Sequence, residues 1–321
     1  MRTWASLISS ALLALATSAM AQEWPQRPVR IIAPFAAAST PDTFARVLAE
    51  GLRKRFNQPV IVENKPGAGG MVGTDAVAKA APDGYTIGVS IVGPLVNNKL
   101  LFKKMPYDPD RDLVPITIAV TQASLLVVPA DRNVTNLREL TAYLKARPGK
   151  GNYASIGVGS LSHLTMELVA LRSGTEIVHV PYPGSSQAVT ALLAGEVDMA
   201  CLPALSVIPH IKAGKLKVIG SSLATRSSLM PDIPTLKEQG LADVEAGAWI
   251  GVVAPAGTPA PVIDRIRRET VAVLKDPDVV AQLQKSMMEV VGSTPDQFVA
   301  HLRAEHDRWA PVIAKTKISL D

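Results

Sequence analysis

Residues 29–52, VRIIAPFAAASTPDTFARVLAEGL, hold three elements in a fixed order. Val29, Ile31, Ile32 and Ala33 form an apolar run that stops at Pro34-Phe35, as a buried strand does. A turn of small residues follows, Ala36-Ala37-Ala38-Ser39-Thr40, and Pro41 then stands where a helix start favours proline. Phe44, Val47, Leu48 and Leu52 recur at helical spacing and define one buried face. Strand, small-residue turn and helix start, in that order, point to an α/β architecture. The turn also offers backbone N–H groups and the positive end of a helix dipole to an anion.

The same logic recurs along the chain with different residues. Residues 59–64 (PVIVEN) are a second strand, closed by Lys65-Pro66-Gly67-Ala68-Gly69-Gly70 and followed by a helix over residues 72–79. That glycine-rich turn lacks the Gly-Lys-Ser/Thr ending of a phosphate loop and the spacing of a dinucleotide fingerprint, so it is a weak nucleotide signal. Residues 86–91 are a third strand, entered through the turn Pro82-Asp83-Gly84-Tyr85. Strands alternating with helices predict a parallel sheet. Residues 116–120 and 125–129 are two short strands, and the chain is expected to cross into a second domain between them.

In that second domain, residues 152–156 form a strand that leads into Gly157-Val158-Gly159-Ser160-Leu161-Ser162-His163. A helix marked by Leu164, Leu168 and Leu171 follows, capped by Ser160 or Ser162. Residues 177–181 then lead through Tyr182-Pro183-Gly184-Ser185-Ser186 into a helix carrying Val189, Leu192 and Leu193. Residues 196–202, 216–221 and 248–254 read as further strands, and the tail from Pro277 as mostly helical.

A chain of 321 residues suits two domains of ordinary size. Its 47% hydrophobic content supplies a packed core, and with only 4% aromatics that core must be built from Ala, Val, Leu and Ile. Arg2, the apolar run 4–16 and Ala19-Met20-Ala21 form an export signal over residues 1–21, with cleavage expected before Gln22. No later apolar run is long enough to span a bilayer, so the expectation is an exported, periplasmic protein. Cys201 is the single cysteine, which excludes an intrachain disulfide and reads as a small buried apolar residue. Net charge is +5, but the basic residues are scattered and short clusters such as Arg53-Lys54-Arg55 lack interleaved aromatics. Nucleic acid is therefore not an expected partner, while the positive bias suits anionic small molecules.

The segments VRIIAPF, VIVENKPGAGG, AAPDGYT, MPYDPDRDL, HVPYPG, AGEVD, AGKLKVIG, MPDIPTLKEQG and GVVAPAGTP occur in this order between residues 24 and 309. In this combination the chain resembles the Bug family, the extracytoplasmic solute receptors of tripartite tricarboxylate transporters. The resemblance implies a two-lobed, type II periplasmic binding-protein fold that closes by a hinge around a small organic anion. It implies lobe 1 from residues 22–123 and 246–321, and lobe 2 from residues 124–245. It also implies a likeness in partners: a carboxylate ligand and the large and small membrane subunits of the transporter, with the receptor a monomer and no cofactor. Carried over by motif, the expected ligand-binding residues are Phe35, Ala36, Ala38, Ser39, Thr40 and Asp42 in the first turn. Ser90, at the end of the third strand, is expected with them. In lobe 2 they are Ser155, Gly157, Gly159, Ser160 and His163 in one turn, and Tyr182, Gly184 and Ser185 in the next, with Asp198 beyond.

The first turn departs from the family pattern, which has glycines where this chain has Ala38-Ser39. Alanine takes a positive φ less readily than glycine, so this turn is expected to follow a different path, with Ser39 and Thr40 donating through their hydroxyls. The side-chain-free room it leaves favours a bulkier, aromatic dicarboxylate such as terephthalate. Thr40 and Asp42 also fit a helix cap and a dipole partner, His163 a satisfied helix-face histidine, and Trp249 either a ligand stack or a strand core. The five histidines lack metal-ligand spacing, and no G-x-S-x-G elbow surrounds Ser160 or Ser185, so no metal site and no enzyme are expected. A sensing receptor for a signalling protein is the alternative, and a periplasmic hydrolase would need a nucleophile–base pair that the sequence does not display.

Overall fold

The computed structural model describes residues 24–316 and 318–320; the expected export signal lies outside them. The first half-sheet follows from the opening unit. Strand β1 (Val29–Ala33) is buried at every position but Arg30, helix α1 (Thr40–Phe56) follows, and β2 (Val60–Asn64) pairs parallel with β1. Helix α2 (Met71–Ala78) crosses the sheet to β3 (Thr86–Ser90), which pairs parallel with β1 on its other side. A π turn over Gly93–Asn97 runs into the short helix α3 (Asn98–Leu101), and α4 (Pro109–Asp112) precedes β4 (Leu113–Gln122).

After a single residue, Ala123, strand β5 (Ser124–Pro129) opens the second sheet. Helix α5 (Leu137–Lys145), β6 (Gly151–Ser155), α6 (Leu161–Ser173), β7 (Ile177–Pro181), α7 (Ser185–Leu193), β8 (Met199–Pro203), α8 (Ala204–Lys212) and β9 (Leu216–Ser221) follow. The chain then returns through β10 (Ala248–Pro255), α9 (Ala260–Leu274), α10 (Pro277–Lys285), β11 (Met288–Val290) and the long α11 (Pro295–Thr316). The six-stranded sheet has the order β11-β4-β10-β3-β1-β2, and the five-stranded sheet β7-β6-β8-β5-β9. β10 lies antiparallel between β3 and β4, and β5 antiparallel between β8 and β9.

Both sheets are covered on both faces, which explains their nearly continuous apolar strands. On one face of the first, Val29, Ile31 and Ala33 meet Phe44, Leu48 and Leu52 of α1, together with Ile87 and Val252. In the second, Leu125 and Val127 face Leu192 and Val207, while Leu126 and Val128 face Leu164 and Leu168. The opposite faces of the two sheets share one apolar cluster, in which Ile32 and Val253 join Leu126 and Cys201 through Trp309, Val312 and Leu101. Helix α11 makes this possible by lying against β4, the π turn and α6.

The two crossings between the sheets are stitched together by Ser222. Its N–H donates to Ser124 O at 3.0 Å, its hydroxyl donates to Ala246 O at 3.0 Å, and Ala246 N–H donates back to Ser222 O at 2.7 Å. Strand β8 begins at Met199 rather than at 196, because Glu196 and Val197 belong to the turn closing α7. β4 runs longer than the short strand expected from its apolar residues, since Leu113–Gln122 pairs along its length with β10 and at one end with β11.

Candidate functional site

In each sheet the parallel strands have the order second–first–third: β2-β1-β3 and β7-β6-β8. The chain therefore leaves the first strand to one side and enters the third on the other, which opens a crevice at the carboxyl ends of the strands. Each lobe brings two helix starts to that edge, α1 and α2 in one, α6 and α7 in the other. Helix starts present unpaired N–H groups, so the shared edge is suited to an anion.

In lobe 1 the small-residue turn is fastened by one carboxylate. Asp42 is 2% exposed, and Ala38 N–H (2.8 Å), Asn64 Nδ2 (2.8 Å) and Arg46 Nε (3.1 Å) all donate to it. Burial alone would raise its pKa, but the bonds from Arg46, Asn64 and Ala38 hold it below the ordinary carboxylate value. Ser39 caps α1, its hydroxyl accepting from Asp42 N–H at 3.4 Å. Ala38 takes φ +63°, so the chain keeps the left-handed residue despite carrying alanine there. The side chains of Ala36, Ala37 and Ala38 are exposed, and Thr40 is half-buried at the first helical position. Phe35 packs beside the second helix start: a Cβ on Gly70 would lie 2.8 Å from Phe35 Cζ.

In lobe 2 the equivalent turn braces itself. Gly157 (φ +123°) and Gly159 (φ +74°) supply its left-handed steps. Ser155 Oγ accepts from Gly157 N–H (3.1 Å), Ser162 Oγ from Ile156 N–H (3.0 Å), and His163 Nδ1 from Gly159 N–H (3.0 Å). Ser160 is the cap: its hydroxyl donates to Gly157 O (2.6 Å) and accepts from His163 N–H (3.3 Å). Behind the turn, His163 and His179 stack with ring centroids 3.7 Å apart, and Tyr153 lies against His179 at 5.0 Å. Burial, with His179 alongside, pushes the His163 pKa down to about 3, and burial lowers that of His179 as well. Neutral His163 can then accept the Gly159 amide. The next turn lies alongside, with Tyr182 N–H donating to Ser155 O at 3.0 Å. Gly184 caps α7 without a side-chain bond, which leaves the α7 start, with Ser185, open.

The expected residues thus fall into two groups. Phe35, Ala36, Ala38, Ser39, Thr40 and Asp42 share one turn, and Ser155, Gly157, Gly159, Ser160, His163, Tyr182, Gly184 and Ser185 share two adjoining ones. Lobe 2 touches lobe 1 at this edge: a Cβ on Gly159 would lie 2.6 Å from Leu101 Cδ1. Ser90 is buried with its hydroxyl 3.3 Å from Thr74 Oγ1. Asp198 is not brought to this edge. It stands level with Asn152, three residues or about 10 Å before the end of β6. There it pairs with Arg132 (3.2 Å) and accepts from Asn152 N–H (3.1 Å). Trp249 is core, 2% exposed and edge-on to Phe298 and His301.

Asn64, Arg46 and His179 escaped the sequence reading. Asn64 closes the motif ahead of the glycine turn, and His179 alternates inward on β7, but neither signal names a partner. Ser155 Oγ and His179 Nε2 do meet, at 2.6 Å, as a nucleophile and base would. Ser155 is 0% exposed, however, and its hydroxyl bridges the Gly157 amide, so the pair supports the turn.

A family model described as the tripartite tricarboxylate transporter family receptor matches residues 44–318. The chain belongs to that family. Protein BugT of Bordetella pertussis is 37% identical over 309 residues, 95% of this chain and 94% of its own length. Rpa4515 of R. palustris, solved with adipate, superposes with a TM-score of 0.84 at 30% identity, over 92% of this chain and 99% of that one. MatC of Rhodopseudomonas palustris, with bound malate, gives 0.79 at 31% identity over 90% of this chain and 100% of that one. The two-lobed periplasmic binding-protein fold is therefore that of this family of solute receptors.

Proposed function

We propose that this chain is a periplasmic receptor that captures a small dicarboxylate between its lobes and delivers it to the large and small membrane subunits of a tripartite transporter. The reading rests on one arrangement: each lobe brings two helix starts to the carboxyl edge of its sheet, and the lobes touch there through Gly159 and Leu101. A carboxylate held by two such starts gains charge-assisted hydrogen bonds without meeting a buried counter-charge. That solved family members carry adipate and malate supports the ligand class. Lobe 1 comprises residues 22–123 and 246–321 and lobe 2 residues 124–245, the receptor acts as a monomer, and ligand stabilises the closed population that the membrane subunits recognise.

The walls favour a ligand with an apolar body. Ala36, Ala37 and Ala38 are exposed on one turn, and Val158 is 42% exposed on the other. Terephthalate fits this description better than a short hydroxylated acid. A thermal-shift screen of mono-, di- and tricarboxylates, aliphatic and aromatic, tests the reading: dicarboxylates should raise the melting temperature most. Ser160→Ala should weaken the best of them by roughly tenfold through loss of the cap that positions the turn. A screen without any carboxylate response would refute the function, and unchanged affinity by calorimetry would remove Ser160 from it.

A further inference from the structure

The 67–70 turn is unlike the others: Gly67, Ala68, Gly69 and Gly70 all take positive φ, at 137°, 45°, 61° and 87°. It ends at the start of α2, eight residues long, whose cap Gly70 makes no side-chain bond. Gly67, Ala68 and Gly69 are exposed. Beside them stands Asn98, 4% exposed, with its Nδ2 unpartnered. A Cβ on Gly69 would lie 3.7 Å from Asn98 Oδ1 and 3.8 Å from Nδ2, so the amide borders the turn directly. Asn97, also buried in the π turn, leaves both amide atoms unpartnered. Buried donors without partners are costly, and π turns concentrate at functional sites.

We propose that the 67–70 turn and the Asn98 side-chain amide hold the ligand's second carboxylate. The inference rests on the dicarboxylate reading above and adds where the second charge goes. Helix α3 joins the two holders: Asn98 borders Gly69 at one end, and Leu101 meets Gly159 at the other. One carboxylate is taken by the lobe 2 turns, and closure brings the other against the α2 start and Asn98 Nδ2. A monocarboxylate fills only the first holder.

Calorimetry on the mature chain with matched pairs tests this, adipate against hexanoate and terephthalate against p-toluate. Asn98→Asp keeps the side-chain shape and sets a negative charge against the second carboxylate. It should weaken the diacid by about tenfold or more while leaving the monoacid within about twofold. Asn98→Ala should act in the same sense with a smaller factor, and a melting curve for each variant separates misfolding from lost contact. Equal weakening of diacid and monoacid in a folded variant, or no change in either, would overturn the subsite. Wild-type protein that responds to no dicarboxylate of the thermal-shift screen would instead overturn the dicarboxylate function itself.

Discussion

The two lobes place a turn at the same topological position, after the central strand of a second–first–third sheet, yet they fasten it by different chemistry. Lobe 1 uses one buried carboxylate, Asp42, which gathers the Ala38 amide, Asn64 and Arg46. Lobe 2 spreads the work over neutral groups, Ser155, Ser160, Ser162 and His163, each taking one backbone N–H. The difference teaches how an anion site tolerates its supports. A negative group can brace such a turn only when its charge is already bonded and paired, whereas neutral hydroxyls and imidazole brace it without repelling the ligand.

Paired perturbations probe this contrast, beginning with the largest. Asp42→Ala strips three donors of their acceptor at once, and denaturant unfolding should show a loss of about 3 kcal/mol. Ser162→Ala in lobe 2 removes one backbone bond and a hydroxyl contact with Ser160, and should cost about 1 kcal/mol; equal losses would mean the two turns are braced alike.

Acid should act on lobe 2. His163 titrates near 6.5 when unfolded and is pushed down to about 3 in the fold, facing Tyr153, His179 and Glu167. The unfolded chain therefore takes up the proton first. This group's contribution is complete above about pH 6.5 and shrinks as pH falls toward 3, by about 2 kcal/mol between pH 7 and 5. His163→Gln should flatten that slope in urea melts run at both pH values; an unchanged slope would place the sensitivity elsewhere.

The last comparison concerns the left-handed residues. Ala38→Gly should stabilise the protein by about 1 kcal/mol, because φ +63° strains a Cβ. Gly159→Ala should do the reverse, its Cβ driven to 2.6 Å from Leu101. A lower melting temperature for Ala38→Gly would contradict the strain assigned to that turn.

Much of the fold was legible because its signals are local. The apolar run at 29–33, Pro41 and the spacing of Phe44, Leu48 and Leu52 specify a strand, a turn and a helix without reference to anything distant. The left-handed Ala38 was not, since a turn that prefers glycine still forms around alanine when Asp42 holds its amide. Site residues were legible as far as they belonged to those turns. Asp198 misled because its motif gives no sign of which end of the sheet it occupies, and strand β8 starts at the end away from the crevice. Asn64 and His179 were silent for the opposite reason: each works through a partner in another element. Strand β11, three residues long, carries too little pattern to read and exists because β4 offers it an edge.

The apolar cluster shared by both sheets has a consequence for cooperativity. Trp309, Leu101, Leu126 and Cys201 lie in one continuous core, so each lobe shares one of its two hydrophobic layers with the other. Cutting the chain at either crossing would expose one side of that core, and heat should melt the two lobes in a single transition. A ligand held in the crevice should therefore slow hydrogen exchange in α11 as well, because that helix belongs to the layer both sheets share.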